Sequence, residues 1–306
     1  MGASTVDVTR PGGQTSSPPG RGLRQRIAGA TPYLLLAPGL VWLILFYAIP
    51  SLQMFLYSIS TGTLERGFVL AFTPDAYIEG LTQFGTQFGN SLLYGGIATL
   101  LTIVIGFPVA YMIAFRGGRY RNLILFLVIA PFFTSFLIRT ISWKILLGDE
   151  GPLLGPLKHV VGILPGTFTL TGTPVAVVAG LTYNFLPFMI LPLYVALEKI
   201  DIRLLEAAQD LYATRWGAFR RVTLPLALPG VFAGSILVAI PAMGDFVNAE
   251  LLGSPQTRMI GNVIQNRFLI QNDYPVAAAL SFILMFGIFA AVTVYARFLG
   301  TERLTG

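Results

Sequence analysis

The stretch EAAQDLYATRWGAFRRVTLPLALPG, Glu206 to Gly230, is charged and amphipathic, yet it lies between two long apolar runs. Leu204, Leu205, Ala208, Leu211 and Tyr212 recur at i, i+1, i+4, i+7 and i+8, which lines one face of a helix. Arg203, Glu206, Gln209 and Asp210 fall away from that stripe. Thr214 is placed to cap a second short helix. In it Trp216, Phe219 and Val222 follow at i, i+3 and i+6, with Arg215, Arg220 and Arg221 beside them. Pro225 and Pro229 are expected to stop the pattern, because proline lacks an N–H and clashes with the preceding turn. The sequence thus predicts a helical elbow with an apolar and a charged face. Such an elbow either rests on the inner leaflet with its bases toward anionic lipid or serves as a shaped knob for a protein groove. Glu206 and Asp210, one turn apart, sit badly on an anionic surface and favour the knob.

The rest of the chain shows what the elbow interrupts. Of 306 residues, 54% are hydrophobic and 11% charged, about half the charge fraction of a soluble domain. Lipid is therefore the main solvent. A span needs about 20 apolar helical residues, and six segments qualify: Pro32 to Ser58, Asn90 to Phe115, Asn122 to Leu146, Pro174 to Leu197, Pro229 to Leu252 and Pro275 to Leu299. The first is read as a retained helix, since it is too long for a secretory signal and lacks a small-residue cleavage site. Fourteen basic residues fall on the face that holds both termini and six on the other. The excess puts both termini, and the elbow, in the cytoplasm.

Three regions follow from this layout. Residues 1–28, rich in Gly, Pro, Ser and Thr in their first 22 or so, are expected to be a disordered cytosolic tail. Residues 29–300 form a six-helix membrane domain with a cytosolic loop at 198–228, and 301–306 are a cytosolic C-terminal tail. The outer loops 61–89, 148–173 and 253–274 are long, whereas the inner connection Arg116 to Arg121 is tight. The expected fold class is an all-α integral membrane protein of the plasma or inner membrane with six transmembrane helices.

Much chemistry is excluded. There is no cysteine and a single histidine, His159, so thiolate chemistry and a histidine-based metal site are ruled out. No phosphate-binding loop G-x-x-x-x-G-K-[ST] is present, and no H-E-x-x-H. "AMGDF" has Ala242 where the Gly-x-Gly-Asp motif of intramembrane aspartyl proteases begins with Gly, and no Tyr-Asp partner lies in another span. A net charge of +6 would suggest nucleic acid in a soluble protein, but here its distribution points to membrane topology. A secondary carrier or channel, which would work alone on an ion gradient, is one reading of such a chain. Asp245 and Glu250 are the acids within an apolar span, where a carboxylate is expensive unless it faces water, a partner or a cation. Pro241 and Gly244 are expected to interrupt the helix just before Asp245, as helices do at transport sites. The alternatives are that Asp245 pairs with Arg139 or another base, or that the span ends earlier and both acids sit at the outer interface.

The elbow resembles the cytoplasmic signature of permease subunits in binding-protein-dependent ABC importers: Glu-Ala-Ala, three residues, Gly, nine residues, Ile, any residue, Leu-Pro. Glu206, Ala207, Ala208, Leu224 and Pro225 match, and Val222 stands at the Ile position. Tyr212 stands where the family has Gly, and Gly217 is too far along to replace it. Tyr212 must therefore tolerate a left-handed turn with strain, or the turn must shift. "NSLLYGGIATLLTIVIGFPVAYMIA" from Asn90 resembles the Asn-Ser-Leu opening and Pro-x-Ala-Tyr close of the same permeases. "LIRTISWKILLGDEG" from Leu137 and "AMGDFVNAELLGSPQTRMIGNVIQNRF" from Ala242 resemble the polyamine (spermidine/putrescine) branch.

The resemblance implies the type I ABC importer permease fold, with coupling helices between spans 4 and 5. It implies a second permease as heterodimer partner, two copies of an ABC ATPase that hold the ATP and Mg, an extracytoplasmic substrate-binding protein, and no cofactor, metal or nucleic acid on this chain. The ATPase contact falls on Glu206, Ala207, Ala208, Gln209, Asp210, Tyr212, Trp216, Gly217, Leu224 and Pro225. Trp216 and Arg220 have the alternative of snorkelling to the inner leaflet. For a polyamine cargo, acids and aromatic rings are expected along the path. The candidates are Tyr183, Asn184, Phe185, Asp245, Phe246 and Glu250. The outward half holds eight acids against six bases, an asymmetry that positive-inside bias alone also leaves.

Overall fold

The computed structural model describes residues 36–63, 65–159, 165 and 167–299, besides Gly2; both expected tails and the start of the first span, Pro32 to Leu35, lie outside them. Helix α1 (Leu36–Ser58) is followed by an antiparallel hairpin of β1 (Ser60–Thr63) and β2 (Gly67–Leu70), with Ser60 opposite Leu70 and Thr63 opposite Gly67. Then come α2 (Asp75–Gln83), α3 (Gly85–Arg116), α4 (Gly118–Phe133), α5 (Phe136–Leu146), α6 (Leu154–His159) and α7 (Pro174–Glu198). The remainder is α8 (Ile202–Asp210), α9 (Arg215–Met243), α10 (Val247–Leu252), α11 (Ile260–Gln265) and α12 (Tyr274–Leu299). Residues Met1–Gln53 form one compact unit and Met54–Gly306 another, which carries every site described below.

Helices α1, α3, α7, α9 and α12 are each long and apolar enough to span a bilayer, and α4 with α5 makes a sixth span if the pair is counted as one. That pair covers the span expected over Asn122 to Leu146, but it bends by 94°. The break has a physical cause. Pro131 tightens the end of α4 into a 3₁₀ turn, and Thr134 and Ser135 then turn extended, at ψ 143° and 137°. Thr134 N–H still donates to Pro131 O at 3.1 Å and Arg139 N–H to Ser135 O at 3.1 Å, so little backbone is left unpaired, as lipid requires. The outer loops are likewise not plain loops, since they hold the hairpin, α2, α6 and α11. The described residues are mainly helical, as expected, with one short two-stranded hairpin.

The core is a three-helix stack in which α7 packs on both α3 and α9. Apolar side chains gain nothing by leaving lipid for one another, so association relies on close van der Waals fit and small residues at the crossings. Met189 of α7 is fully buried between Gly106 of α3 and Gly234 of α9; a Cβ on either glycine would come within 3.2 Å and 2.6 Å of its side chain. Gly230 approaches α7 more closely still, where a Cβ would lie 2.5 Å from Ala196 Cβ and 2.8 Å from Pro192 O. A second, outer cluster joins α2, α11 and α12 through Ala76, Ile260, Val276 and Leu280. Over it Arg267 donates to Asp273 at 2.7 Å and Glu79 at 3.1 Å and lies 5.3 Å from the Phe84 ring centroid.

Prolines mark the second correction. Pro225 and Pro229 do not stop the elbow's second helix, which runs unbroken from Arg215 to Met243. A π turn over Phe219–Thr223 comes just before Pro225, with Leu224 N–H donating to Phe219 O five residues back. The wider turn accommodates the ring that would clash in a regular α-helix. The same device precedes Pro50 in α1, where Ile49 N–H donates to Ile44 O. The end of the fifth span was foreseen more closely. Helix α9 stops at Met243, and α10 starts only at Val247, so the expected span Pro229 to Leu252 is interrupted before Asp245, and the helix long enough to span is Arg215–Met243.

The close approach at Gly230 generates a contrast. Gly230→Ala is expected to lower stability by about 1–3 kcal/mol through overpacking against backbone. Gly96→Ala, whose Cβ would meet nothing within 4 Å, is expected to be neutral or to stabilise by up to about 1 kcal/mol. Thermal melting of the purified variants in detergent distinguishes them.

Candidate functional site

The elbow is built from backbone rules. Asp201 caps α8, its carboxylate accepting from Arg203 N–H at 2.9 Å; an Asp just before the periodic run was the signal for it in the sequence. At the other end Tyr212 N–H donates to Gln209 O at 2.9 Å and Ala213 N–H to Ala208 O at 3.0 Å. These two bonds are the Schellman pattern, whose left-handed residue is usually Gly. Tyr212 holds that position with φ +63°. The turn has therefore not shifted; Tyr212 takes the glycine conformation, which costs a side-chain-bearing residue about 1–2 kcal/mol. Thr214 then caps α9 as the sequence predicted, accepting from Gly217 N–H at 3.1 Å.

The apolar stripe of the elbow is left uncovered by the described residues. Tyr212 is 97% exposed, Leu211 81% and Trp216 69%. Glu206, Ala207, Gln209 and Asp210 are exposed with them, and Ala208 is half-buried. Leu224 and Pro225, the close of the signature, sit past the π turn and are half-buried. Phe219 was not singled out as a site residue and is the anchor. It stacks on Trp216 at 5.2 Å and meets Phe107 and Tyr111 of α3 edge-on at 5.4 and 6.4 Å. Nearby, Arg121 pairs with Glu198 and lies 4.9 Å from the Tyr194 ring centroid, which ties the start of α4 to the end of α7.

The second group of candidates meets at the break after α9. Asn184, 1% exposed midway along α7, donates to Thr140 Oγ1 at 3.1 Å and to Asn248 Oδ1 at 3.0 Å. Asp245 Oδ1 accepts from Asn248 N–H at 2.7 Å, so the buried carboxylate caps the first turn of α10. Asp245 makes no pair with Arg139 or any other base among the described residues, which corrects that alternative. Asn262 of α11 donates to Phe246 O at 2.9 Å and to Glu250 Oε2 at 3.1 Å. Asn184, Asp245, Phe246 and Glu250 are thus joined through Asn248 and Asn262, two amides not named from the sequence. Phe185 faces Phe136 and Phe188 at 6.1 and 6.2 Å, while Tyr183 turns to Trp143 at 5.2 Å. Asn90 and Ser91 staple the segment after α10. Asn90 Nδ2 donates to Arg258 O at 2.9 Å, and Ser91 Oγ accepts from Ile260 N–H at 2.9 Å.

Tyr212→Gly is expected to raise stability by about 0.5–1 kcal/mol, the relief of the left-handed strain less the entropy of glycine in the unfolded chain. The measurement is the shift in melting temperature, and an unchanged or lower value would show that the turn carries no strain.

Comparison with known proteins bears on both regions. Residues 102–298, which include the elbow and the break, match the family described as "Binding-protein-dependent transport system inner membrane component". The chain is 43% identical over 241 residues to "Spermidine/putrescine transport system permease protein PotB" of Haemophilus influenzae, covering 78% of this chain and 84% of that one. To the protein of the same name in Escherichia coli it is 40% identical over 261 residues, covering 84% and 93%. In fold it is similar to a chain of a bacterial ABC transporter involved in the import of the acidic polysaccharide alginate. The TM-score is 0.75 at 20% identity, over 94% of this chain and all of that one. This chain belongs to the family of binding-protein-dependent transport system inner membrane components.

Proposed function

We propose that the chain is the permease subunit of an ATP-driven importer of polyamines such as spermidine and putrescine. In this reading it forms half of the translocation path with a second, different permease. Two copies of a separate ATPase hold the ATP and Mg, and an extracytoplasmic binding protein delivers the cargo. Both termini and the elbow lie in the cytosol, and the chain itself is non-catalytic. Identity of 40–43% along most of both chains to permeases named for spermidine and putrescine carries the cargo assignment. The uncovered Leu211, Tyr212 and Trp216, flanked by Glu206 and Asp210, support docking of the elbow in an ATPase groove. The deciding experiment reconstitutes the whole complex and asks which solutes, held by the binding protein, stimulate ATP hydrolysis. Stimulation by polyamines is expected; uptake by this chain alone on an ion gradient would overturn the reading.

Two substitutions divide the roles. Glu206→Lys is expected to reduce ATP-driven uptake about tenfold or more, a loss of at least about 1.4 kcal/mol of coupling, with membrane insertion intact. Normal uptake would remove Glu206 from the contact. Asp245→Asn keeps a side-chain oxygen able to cap α10, because Asn caps helices as well as Asp does. A purely structural Asp245 therefore predicts unchanged cargo-stimulated ATPase, whereas a carboxylate facing a polyamine predicts a loss of about tenfold in apparent cargo affinity. We expect the loss.

A further inference from the structure

Arg139 is 8% exposed in the first turns of α5, inside the bent span. Counted from the sequence as an outer-face base, it is instead enclosed by rings. Its guanidinium carbon lies 4.8 Å from the Phe132 centroid and 5.6 Å from that of Phe136. Both distances are within cation–π range. Phe132 meets Phe188 edge-on at 5.0 Å, Phe188 meets Phe185 at 6.2 Å, and Phe185 meets Phe136 at 6.1 Å. The four rings form a chain of contacts that the guanidinium closes into a box. The bend between α4 and α5 makes this possible, because it brings Phe132, before the break, and Phe136, after it, over the same cation.

The cation in the box is poorly held otherwise. Among the described residues no carboxylate pairs with Arg139, and its buried Nε has no hydrogen-bond partner. A desolvated charge is normally given a counter-ion, so two rings and the neighbouring Tyr183 make a weak hold. Asn184 Oδ1, on the residue beside Phe185, is a buried acceptor without a donor. Phe188, 37% exposed, also lines a groove of about 820 Å³ between α7 and α9 that reaches Asp201 at the start of the elbow. The groove thus reaches one ring of the box, Phe188, and the box offers aromatic faces suited to an alkylammonium.

We propose that the Phe132–Phe136–Phe185–Phe188 box is a cation site for the cargo, and that Arg139 is its resident plug, which a cargo ammonium displaces. The cargo class rests on the polyamine reading above; the plug rests on the geometry of Arg139. In the emptied state the guanidinium fills the box, and an arriving ammonium substitutes one cation for another on the same rings. Selectivity then comes from competition, since a neutral or anionic solute has nothing with which to replace the guanidinium.

The test measures equilibrium binding of putrescine and of butylammonium to the assembled transporter in nanodiscs, without its binding protein. Arg139→Gln is expected to bind both about tenfold more tightly than wild type, and adding Phe132→Leu is expected to abolish the gain. Equal or weaker binding by Arg139→Gln at an unchanged melting temperature would overturn the plug. If that variant fails to fold, the wild-type complex decides: putrescine or butylammonium should speed the reaction of Arg139 with phenylglyoxal, read by peptide mass spectrometry, and an unchanged rate would overturn the proposal. Wild-type uptake that ignores putrescine would refute the polyamine reading alone, while butylammonium still decides the box.

Discussion

The stack depends on backbone-close packing around Met189. A bulkier residue at Gly106, Gly230 or Gly234 would overpack the crossing in any solvent, but in water the burial of apolar surface would still hold the helices together. In lipid there is no such surplus, because tails are as apolar as side chains. The contact of α7 with α3 and α9 therefore comes from atoms that touch, and it needs glycine where α9 crosses Pro192, Leu193 and Ala196. With α7 held from both sides, its polar midpoint, Asn184, is fixed in place and becomes a point to which broken helices can be tied.

One span is broken, at Thr134–Ser135, and another gives way to α10 at Gly244–Phe246; both breaks meet at Asn184 through Thr140 and Asn248. Interrupted backbone at this depth is tolerated only where other groups satisfy it. Here a carboxylate caps α10, an amide of α11 takes the Phe246 carbonyl, and Ser91 accepts from Ile260 N–H. The Asn-Ser pair in the second turn of α3 is thereby explained in space: it holds the far end of the segment on which Asp245 and Glu250 are mounted.

Much of this was legible, and the failures have particular causes. The span lengths, the Thr214 cap, the interruption before Asp245 and the conflict at Tyr212 each follow from a local rule applied to one or two residues. Tyr212 was legible as a question only, since sequence says where glycine is wanted and not whether the chain will bend to its absence. The bend at Thr134–Ser135 was hidden because hydropathy sums over a window and stays high through a right-angled turn; Pro131 was its sole local sign. Pro225 misled because the rule that proline ends a helix assumes an i→i−4 ladder, and a π turn removes that assumption. Asn248, Asn262 and the Arg139 box were not visible at all, because each depends on residues more than ten positions away being brought together by the packing of α7.

The unbroken run of α9 alters how the elbow relates to the path. A helix of 29 residues is about 44 Å long at 1.5 Å per residue, enough to cross the bilayer as one rod. At one end lie Trp216 and the Thr214 cap; at the other lies the break that carries Asp245. Had Pro225 and Pro229 ended the elbow's second helix, a push on Trp216 would be absorbed by a flexible joint before reaching the span. Instead Phe219 braces the rod against Phe107 and Tyr111 of α3, and Gly230 and Gly234 hold it against α7 further along. In the proposed assembly a push at the ATPase contact therefore passes to the Asp245 end through one continuous helix that is packed into the stack. The left-handed turn at Tyr212 joins α8 to that rod.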